Sequence, residues 1–391
     1  MSQPENSERR LFINGLKGLA AVYAVLHHAY YEVQVTDPKN WLVRLFAWLE
    51  PGHSAVAVFI VLSGHLLMLQ VNPDGRIRDG WADYFVRRAR RILPPYYGAM
   101  LFSMALIALI PALSNSADVR WIRANPALWF KSSIIPHLIL IHNWHPWQAY
   151  RIDPPMWSVA TEWQIYFCFP ALLWFFRKHG LTAAVTAAFV SSLALGAYLG
   201  PAADEGFCPW YLGLFALGMT SATFSKRSPA TEVKWSDRSP RFSPAALLLC
   251  VFLSSYSRTA WGDTLVGVCT AGLLYLCTTY RDFKQSPVLR LLECPGALEL
   301  GRISYSLYLV HYPLQALAES GLKSLQIGTA WRLVIHLSVG TLIILLFAHG
   351  FHLVFERPWE THGARKPVSD LEVPEERSFS DAVSSGGSSR L

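Results

Sequence analysis

The sequence predicts an all-α, polytopic membrane protein, a bundle of about ten transmembrane helices. Of its 391 residues 52% are hydrophobic and only 16% are charged, too few charges to cover the surface of a soluble domain. The hydrophobic residues fall in blocks of about 15–22, the length that crosses a hydrocarbon layer of about 30 Å as a helix. The 15 tryptophans and 16 tyrosines often lie near block ends, as expected at membrane–water interfaces.

Each block is predicted to be one membrane-spanning helix. The ten predicted spans are Ile13–Tyr30, His53–Leu69, Tyr96–Leu113, Met156–Phe176, Leu181–Leu199, Trp210–Phe224, Pro244–Tyr256, Thr264–Tyr280, Ile303–Leu317 and Leu333–Phe355. A further apolar stretch, Ile134–Ile141, is too short to span and is expected to be interfacial or re-entrant. The spans define a transmembrane domain over residues 11–358, flanked by a polar segment 1–10 and a charged, Ser/Gly-rich tail 359–391 that is expected to be disordered.

Charge predicts the orientation of the bundle. Arginine and lysine are about twice as frequent in the loops on one side as in the loops on the other, and the positive-inside rule places both termini in the cytoplasm. The net charge of +7 therefore reflects topology, and no nucleic-acid partner is expected. The six cysteines contain no C-x-x-C pair, so neither a metal site nor a disulfide framework is indicated.

Ionisable groups inside a membrane are costly, and each one is a candidate site residue. The first span contains Lys17, His27 and His28. Lys17 and His28 are eleven residues apart, so they face the same way about 16 Å apart along the helix axis. A cation near one face and a base near the other suit a donor that is anionic at one end and reactive at the other. Alternatively, Lys17 snorkels to the interface and His28 is a packed histidine.

Four arginines occur in the run R-R-A-R-R-I-L-P-P-Y-Y at 87–97. Their forked guanidinium groups could bind phosphates. The plainer interpretation is a topology signal or an anionic-lipid contact just before a helix. In that case Pro94–Pro95 mark the start of the third span.

Two later spans contain polar stripes. In the fourth, Ser158, Glu162 and Tyr166 follow at i, i+4 and i+8, next to Trp157. Glu162 could orient a catalytic histidine or bind a polar acceptor, or it could form a structural hydrogen bond between helices. In the ninth, Tyr308 and His311 share a face with Ser304, and His311 is either a second site histidine or an interfacial residue.

These motifs, taken in order, resemble the acyltransferase 3 family of multi-pass membrane acyltransferases over about residues 11–358. Lys17 stands where the family has arginine, which keeps the charge and loses the bidentate fork. The segments that carry the resemblance are I-N-G-L-K-G-L-A (13–20) with V-L-H-H (25–28), V-F-I-V-L-S-G-H-L-L (58–67), the arginine run (87–97), P-P-M-W-S-V-A-T-E-W-Q-I-Y-F (154–167), G-R-I-S-Y-S-L-Y-L-V-H (301–311) and F-E-R-P (355–358).

The resemblance implies an acyltransferase that moves an acyl group, by default acetyl, from cytoplasmic acyl-CoA to a hydroxyl of a carbohydrate, lipid or natural product. In this hypothesis Lys17, Arg88 and Arg91 hold the CoA phosphates, and His28 is the general base. Glu162 orients that base or contacts the acceptor, and no metal is required. Trp157, Ser158, Tyr166, Tyr308 and His311 are expected to contact the substrate. Some relatives carry an extra hydrolase-like domain, whereas this chain ends soon after its last motif and is expected to act alone.

Two other functions stay open at this stage. A transporter of a glycan or lipid would not depend on Lys17 or Arg88, and it would show paired broken helices. A sensor or structural membrane protein would tolerate His28→Ala. The loop 114–154, rich in Trp and His, could stack on sugar rings or form an interfacial cap.

Overall fold

The structure is a computed structural model, and it describes residues 11–72, 74–77, 80–110, 133–203, 206–227, 244–256, 259–279 and 286–361. Within these residues the fold is all-α, and the one β feature is an isolated antiparallel bridge between Val71 and Ile77. The predicted N-terminal segment 1–10, much of the loop 114–154 and nearly all of the predicted tail lie outside the described residues.

Ten long helices, α1–α10, account for most of the described chain. Their bounds are Leu11–Gln34, Ser54–Leu69, Gly80–Leu109, Met156–His179, Leu181–Leu199, Tyr211–Arg227, Pro244–Ser254, Ala260–Thr279, Ser304–Ser324 and Thr329–Trp359. The last helix includes two π-helical turns, His336–Gly340 and His352–Glu356. Short helices lie between the long ones, at Trp41–Leu45, Ile135–Leu138, Pro146–Ala149, Pro287–Leu292 and Pro295–Arg302.

Each predicted span falls on one of these helices, so the all-α membrane fold is confirmed. Five helical stretches among the described residues are long and apolar enough to cross a membrane: Ala47–Leu69, Gly80–Leu109, Leu181–Leu199, Ala260–Thr279 and Thr329–Trp359. The other five helices do not meet this standard of length and hydropathy. Some, such as α7, have too few residues, and others contain the polar residues discussed above. The number of crossings, ten, stays a prediction.

The boundary predicted for the third span was wrong. We expected Pro94–Pro95 to mark its start, but α3 begins at Gly80 and both prolines lie inside it. A proline removes one backbone hydrogen bond from a helix interior, and here the surrounding bundle supports the helix. The arginine run therefore belongs to α3 itself, and its side chains point in fixed directions around that helix.

Small residues bring the helices close together around the future site. A Cβ at Gly64 of α2 would overlap the Phe215 carbonyl, and a Cβ at Gly218 of α6 would overlap the Val61 carbonyl. Likewise α1 packs tightly on the short helix Pro295–Arg302, where a Cβ at Gly301 would overlap the backbone of α1. Close packing of this kind replaces the hydrophobic driving force that is absent between helices in lipid.

Candidate functional site

A cavity opens inside the bundle between α1, α2, α3, α4 and α9. Its empty space, including the open mouth, is about 820 Å³. One wall is apolar, with side chains such as Phe59, Ile60 and Val159. Seven of the ten predicted site residues line the cavity: Lys17, Arg88, Arg91, Ser158, Glu162, Tyr166 and Tyr308.

One end of the cavity is positively charged. Arg88 and Arg91 are three residues apart on α3 and share a face, and Lys17 approaches from α1. Arg88 is only 9% exposed, its guanidinium lies 5.8 Å from the centre of the Tyr166 ring, and its Nε has no hydrogen-bond partner in the described structure. Three cations and one carboxylate, Glu162, line this partly buried space, and the excess of positive charge favours an anionic ligand.

A second groove continues the cavity to the end of the bundle. The two share Lys17, Arg91, Ser304 and Tyr305 as walls. The groove is also lined by the short helix Pro295–Arg302. There Arg302 donates to both carboxylate oxygens of Glu299, at 2.6 and 2.9 Å. These hydrogen bonds lower the pKa of Glu299 and keep it ionised. The cavity and this groove are therefore adjacent, with Lys17 and Arg91 in the lining of both.

Glu162 lies in the cavity wall between α2 and α4. Its Oε1 accepts hydrogen bonds from Ser63 Oγ and from Tyr166 Oη, each at 2.5 Å. Orienting His28 is one of the roles suggested for Glu162, but the side-chain hydrogen bond of His28 goes to His311. The role of Glu162 stays a prediction. Ser63 lies in the segment V-F-I-V-L-S-G-H-L-L (58–67), which in the sequence indicated only the family resemblance. Only the tertiary structure brings Ser63, which is 99 positions from Glu162 in the chain, to the same cavity wall.

Two further polar residues face the cavity, whereas three predicted residues, Trp157, His28 and His311, are not part of its lining. The Tyr308 hydroxyl lies 2.8 Å from Ser158 Oγ. Because Ser158 donates its own proton to the Pro155 carbonyl at 3.0 Å, the Tyr308 hydroxyl is the donor of the pair. Trp157 instead packs beside the Tyr211 ring, with ring centres 6.1 Å apart, and is not part of the lining.

His28 and His311 form a hydrogen-bonded pair just beyond the cavity. His311 Nδ1 lies 2.7 Å from the Tyr308 carbonyl and therefore donates, so His311 Nε2 has the lone pair in a neutral ring. His28 Nδ1 lies 3.2 Å from His311 Nε2 and 3.0 Å from the Ala24 carbonyl oxygen. Both of these atoms can only accept a hydrogen bond from His28. Its proton consequently belongs on Nδ1, and His28 Nε2 becomes the nitrogen able to accept a proton.

The neighbouring His27 has a different environment. It is buried, and its Nδ1 lies 2.9 Å from the Leu49 carbonyl, which ties α1 to the turn before α2. Because His27 holds the fold together in this way, the histidine of the family motif is better matched by His28 than by His27. Tyr308 separates the histidine pair from the cavity, with its ring centre 5.7 Å from that of His311.

Two of the three histidines in the loop 114–154 contribute to packing. His137 and His142 are fully buried and stack with ring centres 3.8 Å apart. His137 Nδ1 and Nε2 lie 2.6 and 2.8 Å from the carbonyls of Ser133 and Arg151. These two rings are therefore not available to stack on a sugar.

Known proteins resemble the chain over most of its length. It is 26% identical to a candidate peptidoglycan O-acetyltransferase, YrhL, of Bacillus subtilis, over 92% of this chain and 56% of that protein. It is 22% identical to the peptidoglycan O-acetyltransferase OatA of Listeria monocytogenes, over 85% of this chain and 53% of that protein. The chain thus spans about half the length of the curated relatives it matches. No solved structure is significantly similar to it.

A family match covers nearly the whole membrane domain. The acyltransferase 3 family model, described as an acyltransferase domain, matches residues 10–349. The match includes every residue of the cavity and of the histidine pair described above. The chain therefore belongs to the acyltransferase 3 family of membrane acyltransferases.

Proposed function

We propose that the protein is an O-acetyltransferase of the membrane that transfers acetyl from acetyl-CoA to a hydroxyl of a cell-envelope carbohydrate such as peptidoglycan. The cavity is the observation that supports this most directly, because it joins a three-cation end to a polar end next to a histidine pair. The names of the relatives suggest the acceptor and the acetyl group.

The donor occupies the groove and the cavity in this proposal. Lys17, Arg88 and Arg91 bind the phosphates of CoA, and the two arginines do so through forked hydrogen bonds. Following the positive-inside rule, this end of the bundle faces the cytoplasm, and so do both termini. The pantetheine arm lies along the apolar wall and brings the thioester toward Ser158 and Tyr308.

His28 is the general base of the proposed step. Its Nε2 takes the proton of the acceptor hydroxyl while the hydroxyl oxygen attacks the thioester carbonyl. The carbon–sulfur bond then breaks, the ester forms, and the CoA thiolate leaves and is protonated. A thioester is already activated, so base catalysis and positioning suffice. Because Tyr308 separates the cavity from His311, the step requires the Tyr308 side chain to move aside.

His311 and Glu162 have supporting roles. His311 keeps the proton of His28 on Nδ1, so it acts as a positioning residue. Glu162 holds Ser63 and Tyr166 at the wall, and the Tyr166 ring in turn lies beside the Arg88 guanidinium.

The decisive experiment measures acetyl-CoA consumption, by thiol release, in vesicles containing the wild type, His28→Ala or Glu162→Ala. We expect His28→Ala to lower turnover roughly 10²–10⁴-fold, the usual contribution of a general base. His179→Ala, an exposed histidine at the end of α4, is the matched control and should be unaffected. Unchanged turnover in both site variants would refute the mechanism, and no consumption by the wild type would favour a transporter. Mass spectrometry of envelope carbohydrates with and without the protein would then identify the product.

A further inference from the structure

A separate groove lies on the outside of the bundle, away from the cavity and from the groove that continues it. It is formed by Gly75–Ile77 of a turn, the start of α3 and the end of α4, and it shares no lining residue with the cavity. Its empty space, including the open side, is about 750 Å³. The proposed acyl transfer does not use it.

Two arginines face this groove. Arg76 comes from the turn and Arg177 from the last turn of α4, and both are exposed. Among the described residues neither makes an ion pair. The nearby carboxylate of Asp74 accepts a hydrogen bond from the backbone N–H of Arg76 at 3.0 Å. The side chains lining the groove therefore have a charge of +2 and could bind an anion.

The turn is shaped to hold the two arginines together. Gly75 has φ +76°, and a Cβ there would lie 2.9 Å from Cδ of Arg177, so the turn packs directly on that side chain. The bridge between Val71 and Ile77 closes the turn. Together these contacts hold the backbone next to Arg76 against the Arg177 side chain, so both arginines line the same groove.

Tryptophans place the groove at the membrane–water interface. Trp81 and Trp174 line it and are 40% and 58% exposed, at the same end of α3 and α4. Exposed tryptophans at the ends of spanning helices prefer the level of the lipid headgroups. From Trp174 an exposed stripe runs along α4 through Ala171 to Phe167, at helical spacing. A hydrocarbon chain can lie along this stripe while its headgroup reaches the arginines.

We propose that this groove binds an anionic phospholipid, with the phosphate between Arg76 and Arg177 and an acyl chain along the Phe167–Trp174 stripe. A phosphodiester offers two charged oxygens to the guanidinium forks. A zwitterionic headgroup would bring its own cation toward the two arginines and bind less well. The chemistry alone also suits free phosphate, but the apolar stripe favours a lipid.

The test is a titration of the purified, delipidated full-length protein with phosphatidylglycerol or phosphatidylcholine, followed by native mass spectrometry. Near a membrane surface an arginine contributes roughly fivefold in affinity for anionic lipid, so Arg76→Gln with Arg177→Gln should weaken phosphatidylglycerol binding about thirtyfold. The matched control is Arg90→Gln with Arg290→Gln, which removes the same charge from exposed positions outside the groove. The control should bind like the wild type.

Three outcomes would overturn the proposal. The first is equal binding of the two lipids by the wild type. The second is phosphatidylglycerol binding by the groove variant that matches the control. The third is displacement of the lipid by excess inorganic phosphate, which would indicate a phosphate site and not a lipid site. Because both double variants are compared for thermal stability, a folding defect is recognised separately.

Discussion

The hydrogen bond between His28 and His311 offers the sharpest test of the proposed chemistry. His311 Nε2 accepts from His28 Nδ1 at 3.2 Å, and the Ala24 carbonyl accepts from the same nitrogen at 3.0 Å. Replacing His311 by leucine removes one of the two acceptors that hold the proton on Nδ1. Replacing it by glutamine places an amide oxygen near the position of Nε2, which can accept the same hydrogen bond.

The magnitudes follow from these contacts. One hydrogen bond contributes about 1 kcal/mol, and about 1.4 kcal/mol corresponds to tenfold in rate. Since the Ala24 carbonyl still favours the correct tautomer, we expect His311→Leu to lower kcat about five- to tenfold. His311→Gln should lose about threefold or less. Removing the base itself, in His28→Ala, should cost roughly 10²–10⁴-fold.

The assay is thiol release from acetyl-CoA by the three variants in vesicles, with thermal unfolding measured alongside. The order of activities, wild type, His311→Gln, His311→Leu and then His28→Ala, distinguishes positioning from catalysis. If His311→Gln is as inactive as His28→Ala, then His311 itself transfers the proton and the assignment of the base to His28 is wrong. If His311→Leu matches the wild type, the pair has no role in turnover.

Three further predictions concern the donor end and the stability of the bundle. Arg88→Gln should raise the KM for acetyl-CoA about 10–100-fold with little change in kcat, as expected for the loss of a charged hydrogen bond to phosphate. Arg90 is an exposed neighbour outside the cavity, so Arg90→Gln should leave the KM unchanged. Steady-state kinetics of the two variants tests this difference. Gly218→Ala should destabilise the protein by about 1–3 kcal/mol because its Cβ would overlap the Val61 carbonyl. Gly321→Ala should be neutral or slightly stabilising, because no atom lies within 4 Å of the new Cβ. Equal unfolding midpoints for the two variants would refute this prediction. Glu319→Gln should lower the free energy of unfolding by about 3–5 kcal/mol, because the buried Arg332 and His336 both bind that carboxylate. Glu299→Gln should lower it by at most about 1 kcal/mol, because the ion pair of Glu299 with Arg302 is exposed. Thermal unfolding of the two variants tests the difference.

Much of the candidate site was predictable from residue spacing. Arg88 and Arg91 are separated by three positions, and Ser158, Glu162 and Tyr166 by four, so each set had to share a helix face. The structure confirms that all five line one cavity with Lys17. Their catalytic and binding roles stay predictions.

The errors have a common physical cause. Placing the start of the third span at Pro94–Pro95 relied on local propensity, and the packed bundle overrode it by extending α3 from Gly80. The suggestion that Glu162 orients His28, one of two roles considered for it, relied on both being polar and intramembrane. Polarity alone does not select a partner: Glu162 accepts from Tyr166 on its own helix and from Ser63 of α2, which only the tertiary structure brings near.

The sequence by itself determined the all-α membrane fold and the faces of single helices, because block length and the 3.6-residue period are local properties of the chain. It also carried the ordered motifs that indicate the acyltransferase family. Only the tertiary structure decided which faces meet. The contacts between His28 and His311, and between Ser63 and Glu162, join residues 283 and 99 positions apart. Such pairs depend on how the helices pack against one another in three dimensions, and no local pattern in the chain specifies that arrangement.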